Sequence, residues 1–249
     1  MTIALLLAIV LITATISGVF GMAGGLMLMG ALMLAMPVAA AMVTHGAVQL
    51  VSNGWRAVLH RKHVRWRIIA AYAAGSAAAA GTLALVTYSP SKPWAYLLLG
   101  LVPALAWLPK DKLHLDAARA PDAVACGFLV TGLNVAAGVS GPLLDVFFVR
   151  TALTRHQIVA TKAATQTLAH IAKIAFYGAP LLALSGETGL PPWHFFALAA
   201  PLAMLGAVLG GKLLDRMTDK SFLKWTKWIV TGLGLIYLVQ AAQLFLSQN

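Results

Sequence analysis

The first charged side chain in this chain is Arg56. A soluble domain cannot make a surface from so long an uncharged run, since about a quarter of its residues are normally charged. Only 10% are charged here. The stretches Ile68–Thr87, Pro93–Pro109, Ala123–Leu144, Pro191–Gly211 and Trp225–Leu246 also lack acidic and basic residues, apart from Lys227. A helix needs ~20 such residues to cross a bilayer. The chain is therefore read as an all-α polytopic membrane protein of about eight hydrophobic segments. Helices are required because lipid offers no partner to an unpaired backbone group. Met1-Thr2 has no basic n-region and the apolar run outlasts an h-region, so the start is read as membrane rather than leader.

Several chemistries find no motif. There is no Gly-x-x-x-x-Gly-Lys-Ser/Thr loop for an ATPase and no His/Cys spacing for zinc or haem. Cys126 is the single cysteine, so no internal disulfide forms. No cofactor, no metal and no enzymatic activity are expected.

Inside the apolar sequence, two stretches repeat at an offset of 117 residues without a gap. The first is Gly21-Met-Ala-Gly24-Gly25-Leu26, then Thr44-His45-Gly-Ala47-Val-Gln49, then Asn53 and Arg56. The second is Gly138-Val-Ser-Gly141-Pro142-Leu143, then Thr161-Lys162-Ala-Ala164-Thr-Gln166, then His170 and Lys173. Each copy is a glycine-broken apolar segment followed by a polar-striped helix. Interrupted hydrophobic segments in matching positions of two halves point to a transporter binding site. The halves are read as residues 1–109 and 121–249, joined by a linker at 110–120.

The net charge of +11 might suggest nucleic acid in a soluble protein, but its placement follows topology. If all eight segments cross once, the basic residues of the connecting loops split seven against seven. If segment five, Pro121 to Arg150, returns to its own side, the split becomes thirteen against Lys92 alone. The positive-inside rule favours the second arrangement. Segment one, Ile3 to Val43, then re-enters from the other face by repeat logic. The loop Arg61–Arg67 is basic while its counterpart after segment six is not, so the two repeats are inverted. A single crossing of segment five with an atypical charge bias is the alternative.

The polar stripes carry the chemistry. His45, Gln49, Ser52, Asn53 and Arg56 share one helix face, as do Lys162, Gln166, His170 and Lys173. In lipid such a face turns toward protein or a water-filled cavity. Plain interhelical hydrogen bonding is the competing role for each amide or hydroxyl taken alone. The lining is electropositive: Lys162, Lys173 and Arg56, with His45 or His170 when protonated. Broken helices add free N–H groups and a positive dipole end, both suited to an oxyanion. Gly24, Gly25, Gly141 and Pro142 are where those ends are expected. Lys162 is the expected principal anion contact, with Thr44, Thr161, Gln49 and Gln166 donating from both halves. Arg56 and Lys173 are expected as attractors at opposite mouths, or as anchors that snorkel to the headgroups. Asp145 is the one acid deep in an apolar segment. It is either a proton carrier or a structural ion pair with Lys162 or Arg150.

Gly18-x-x-Gly21-x-x-Gly24-Gly25 with Pro37 and Thr-His-Gly-Ala-Val-Gln, and Gly138-x-x-Gly141-Pro142 with Ala160-Thr-Lys-Ala-Ala-Thr-Gln, resemble the sulfite exporter TauE/SafE family, also called toluene sulfonate uptake permeases. The resemblance covers nearly the whole chain. It implies a multi-pass carrier of the bacterial inner membrane for sulfite, sulfonates or other organic anions, driven by an ion gradient. The partners implied are a small anionic substrate and the lipid bilayer, with no nucleic acid; homodimerisation is left open.

Three rivals remain at this point. Met22, Met29, Met33 and Met36 follow helical spacing, which would suit a soft-metal path, although methionine more often serves apolar packing. An intramembrane enzyme would need a nucleophile such as Ser140, with Lys162 or His170 approaching it in three dimensions. A non-transporting scaffold would leave the duplicated basic stripes without a purpose.

Overall fold

The computed structural model describes residues 2–85, 90–109, 113–183, 188–217 and 219–247, with backbone alone for residues 155 and 219–223. Lys110 and Lys112 in the linker, and the side chains of Arg155 and Lys220, lie outside the described residues. Among the described residues the fold is entirely helical. It runs α1 (Ile3–Phe20), α2 (Met22–Ala35), α3 (Val38–Leu59), α4 (Trp66–Ala84), α5 (Lys92–Leu101), α6 (Ala120–Ala137), α7 (Gly141–Phe148), α8 (Arg155–Ala183), α9 (Trp193–Leu214) and α10 (Asp219–Leu246). Short 3-10 turns at Arg61–His63 and Val102–Trp107 join or extend them.

Segments one and five are each two helices. The 117-residue offset carries both ends of α1 onto both ends of α6. The break falls at Gly21 (φ +61°) and at Gly138 (φ +81°), in the backbone region that glycine alone enters cheaply. Each break glycine donates its N–H to the carbonyl four residues back, Ser17 or Asn134, at 2.9 Å. The expected helix starts are met in the second half and shift by two residues in the first, where α2 starts at Met22. Gly24 and Gly25 lie within the first turn of α2, and Gly141 and Pro142 open α7.

Segment five returns to the side on which it began. The Ala117 N–H, just ahead of α6, donates to Phe147 O at the end of α7 (2.8 Å). In segment one, α2 folds back on α1 so closely that a Cβ at Gly24 would strike the Thr13 carbonyl.

The striped helices face each other. Gly46 of α3 meets Ile174 of α8, and Gly54 meets Thr167, so the pair runs antiparallel as inversion requires. Two further crossings join the halves. On α4 and α6, a Cβ at Gly75 would overlap the Val124 carbonyl, and one at Gly127 the Tyr72 carbonyl. On α9 and α1, Gly206 lies on Ala14 and Gly210 on Gly18. Small residues let helix backbones approach in this way when no hydrophobic force draws helices together in lipid.

The apolar core holds a buried polar stripe, and apolar side chains also cover the outside. Thr44, His45, Gln49, Asn53, Asn134, Thr161, His170 and Lys173 are buried, while Leu34, Leu182, Leu205, Leu235 and Ile236 are exposed. Helices α1, α6 and α9, with Lys224–Leu246 of α10, are long and apolar enough to cross a membrane. Of the eight expected segments, these four meet that measure.

Candidate functional site

A polar cavity lies where the two breaks meet the two stripes. From the first half, Ser17, Gly21, Met22, Gly25, His45, Gln49 and Asn53 line it. From the second come Asn134, Val139, Ser140, Gly141, Gln166, Ala169 and His170. The 117-residue offset pairs much of this lining: Ser17 with Asn134, Met22 with Val139, Gln49 with Gln166, Asn53 with His170. The cavity therefore sits on the pseudo-two-fold axis. Its free space is small, about 20 Å³ for the centre of a water-sized molecule, enough for one or two waters.

Both α2 and α7 begin at this cavity, so their unpaired N–H groups and positive dipole ends belong to it. The helices α1 and α6 end at the same place and bring negative ends. Cations from the stripes cover those. Lys173 Nζ donates to Gly138 O at 2.8 Å. Arg56, its equivalent, reaches Ser17 O at 3.5 Å. Each cation thus covers one carbonyl at a helix end, and the amides of Gln49, Asn53, Asn134 and Gln166 stand in the lining beside the two helix starts. Oδ1 of Asn134 is buried there without a partner, a cost normally borne only where a ligand or water completes the site.

Lys173 also donates to His45 Nδ1 at 2.7 Å. The His45 Nδ1 therefore accepts, and Nε2 carries the hydrogen toward Gly25 O at 3.1 Å. The His170 ring packs edge-on to His45 at 5.6 Å between centroids, and its Nδ1 lies 3.4 Å from the Asn134 amide.

The candidate residues divide. Gly25, His45, Gln49, Asn53, Gly141, Gln166 and His170 are brought together around the cavity. Gly24 packs against α1, and Pro142 lies behind Gly141 in the first turn of α7. Thr44 is buried with no partner for its hydroxyl, and Thr161 accepts from the Arg65 N–H at 3.1 Å. Neither threonine lines the cavity. Lys162 does not line it either: its ammonium is paired with Asp145, the structural alternative that the sequence left open. Lys173 is not at a mouth but wholly buried, with two acceptors. Its role as an outer attractor is corrected accordingly.

Ser17, Asn134, Val139 and Ala169 were not foreseen as site residues; Gly21 stood only in the repeat, Met22 only in the rival metal path and Ser140 only in the rival enzyme. The offset that pairs Gln49 with Gln166 also pairs Ser17 with Asn134, four residues ahead of each break glycine, and could have found these two.

A family model described as Sulfite exporter TauE/SafE matches residues 6–238. The chain belongs to the TauE/SafE family. Both helix breaks, both stripes and every cavity residue of this TauE/SafE member fall inside the matched range. The family is one of membrane transporters, which fits the four long apolar helices. Neither the curated proteins nor the solved structures contain a match to the chain.

Proposed function

We propose that this TauE/SafE member is a secondary transporter for small sulfur oxyanions, sulfite or a sulfonate, in the bacterial inner membrane, and that the axial cavity is its substrate site. The observation that carries this reading is the pairing of two helix N-termini with polar side chains from both halves around one cavity, with no acidic side chain in its lining. Oxyanions accept hydrogen bonds from several directions, and N–H groups, amides and hydroxyls supply donors from both sides of the axis. The small free space makes this a closed arrangement. An anion of four heavy atoms or more enters when one half rocks against the other, as inverted-repeat carriers do.

An enzymatic role gains little from the geometry. Ser140 and His170 line the same cavity, but His170 Nδ1 faces Asn134 rather than a serine hydroxyl.

The test is uptake of labelled sulfite and of a labelled sulfonate by proteoliposomes, beside empty vesicles. Accumulation of either above the empty control is expected. Equal counts in both preparations for both anions would remove the transport reading.

A further inference from the structure

The reading above leaves the driving ion unnamed. We infer that Lys173 and His45 together form the proton site of this carrier, taking up one proton with each anion that enters the cavity, a role that rests on the anion reading just given. Lys173 is 0% exposed. Its ammonium spends one donor on Gly138 O and one on His45 Nδ1. The second bond crosses from α8 to α3 and so ties the two halves together.

The groups facing this pair are few. His170 lies beside His45 from α8. One turn beyond Lys173, the Tyr177 hydroxyl donates to Val135 O at 2.8 Å. The α1–α2 hairpin offers the Gly25 carbonyl, and α6 with its break offers Asn134 and the Gly138 carbonyl. The ion pairs that acids make among the described residues lie elsewhere, Asp145 with Lys162 and Asp122 with Arg119. With Lys173 as the ammonium, the pair holds one positive charge, with one proton lying along the line from Nζ to Nδ1.

Of the two lone pairs open to a second proton, one on His170 and one at His45 Nδ1, the second is the one that bridges the halves. Binding there leaves Nε2–H on Gly25 O and leaves Lys173 with all its hydrogens, still donating to Gly138 O. It also removes the acceptor that Lys173 uses and sets two cations side by side in a site without acids. Like charges so placed repel strongly out of water. A monoanion in the cavity, which His45 lines, cancels the added charge. Proton and anion therefore strengthen each other by equal factors, as linkage requires. The loaded site keeps the net charge of the empty one, while the bond between α3 and α8 opens. Loading both ligands releases a latch between the halves, and loss of the proton on the far side re-forms it and expels the anion.

The test uses the full-length protein in weakly buffered detergent with a pH-indicating dye. The probes are isethionate, whose sulfonate stays ionised throughout the titration, and sulfite in parallel. The parent should take up one proton per isethionate bound, with affinity falling about tenfold per pH unit on the alkaline side. His45→Gln keeps an acceptor for Lys173 and should bind more weakly, with no proton uptake and no pH slope. Nitrogen-15 histidine spectra of the parent supply a check that needs no variant: His45 Nδ1 should change from acceptor to N–H when anion is added. Binding by the parent without proton uptake would overturn the proton site and leave the anion site standing. Uptake undiminished in His45→Gln, or a His45 signal that stays neutral, would do the same. If neither probe binds the parent, the anion reading falls and the coupling falls with it.

Discussion

His45 and Lys162 occupy equivalent positions on α3 and α8, yet only His45 reaches the cavity. Lys162 turns to Asp145 in its own half, and the first half has Leu28 where Asp145 stands in the second. Arg56 and Lys173 are equivalent as well. Both donate to a carbonyl near the end of the broken helix in their own half, but Lys173 is fully buried and shares its ammonium with His45 across the axis. The scaffold is symmetric and the charges on it are not. Duplication supplies two helix breaks and two amides. Divergence decides which basic residue reaches the cavity, which one closes a helix end, and which one is only paired off.

Removing Lys173 should break this asymmetry most severely. Lys173→Met keeps the volume but leaves Gly138 O and His45 Nδ1 without a donor. Each lost bond to a buried charge costs about 1.5–3 kcal/mol. Transport in liposomes should fall at least about a hundredfold, a loss equal to about 2.7 kcal/mol, with a lower melting temperature. Parental rates in Lys173→Met would mean that the buried cation is dispensable.

The symmetric part of the lining makes a sharper demand. Gln49→Ala and Gln166→Ala should each weaken anion binding about tenfold, the worth of one hydrogen bond to a charged ligand, and should do so equally. Titration calorimetry would read both. Unequal losses would place the anion off the axis, nearer the half that suffers more.

Arg56 should matter less than its counterpart, because its bond to Ser17 O is long and its side chain only half-buried. Arg56→Gln is expected to slow transport about threefold, in line with the modest value of partly solvated charge contacts. A loss as deep as that of Lys173→Met would show that the two helix-end contacts are equals after all.

The smallest effect is expected at Lys162. Its ion pair with Asp145 is partly exposed, with side chains 27% and 23% accessible, and such pairs contribute about 0–1 kcal/mol. Lys162→Ala should leave anion affinity within about twofold of the parent, the change that corresponds to the lower half of that range. Any loss of stability should be recovered by adding Asp145→Asn. Abolished binding would return Lys162 to the principal role that its sequence position suggested.

Much of the frame was legible. The glycine-broken segments and striped helices could be seen because a repeat must keep both backbone breaks and helix faces in step. The return of segment five followed from where the basic residues sit, and the Ala117–Phe147 hydrogen bond shows the same return in the structure. The exact break did not follow. Gly24 looks like the better helix breaker, but its missing side chain serves close packing on α1, while the turn is made by Gly21. Lys162 could be read two ways, as an anion contact or as the partner of Asp145, and the structure shows the pair. Lys173 misled because its equivalent Arg56 lies near the end of α3, whereas α8 runs ten residues past Lys173 to Ala183 and the side chain turns inward to the Gly138 carbonyl and His45.

The glycine crossings bear on how such a chain arose. Each half lends its fourth helix to the other, α4 lying on α6 and α9 on α1. A five-helix half made alone would leave those close-fitting faces bare in lipid. An ancestral single-copy gene would therefore have had to yield two copies that inserted in opposite orientations and clasped one another. Fusion of two such copies would fix a mutual embrace that is already complete, and would free each copy to lose the residues that only one of them needs.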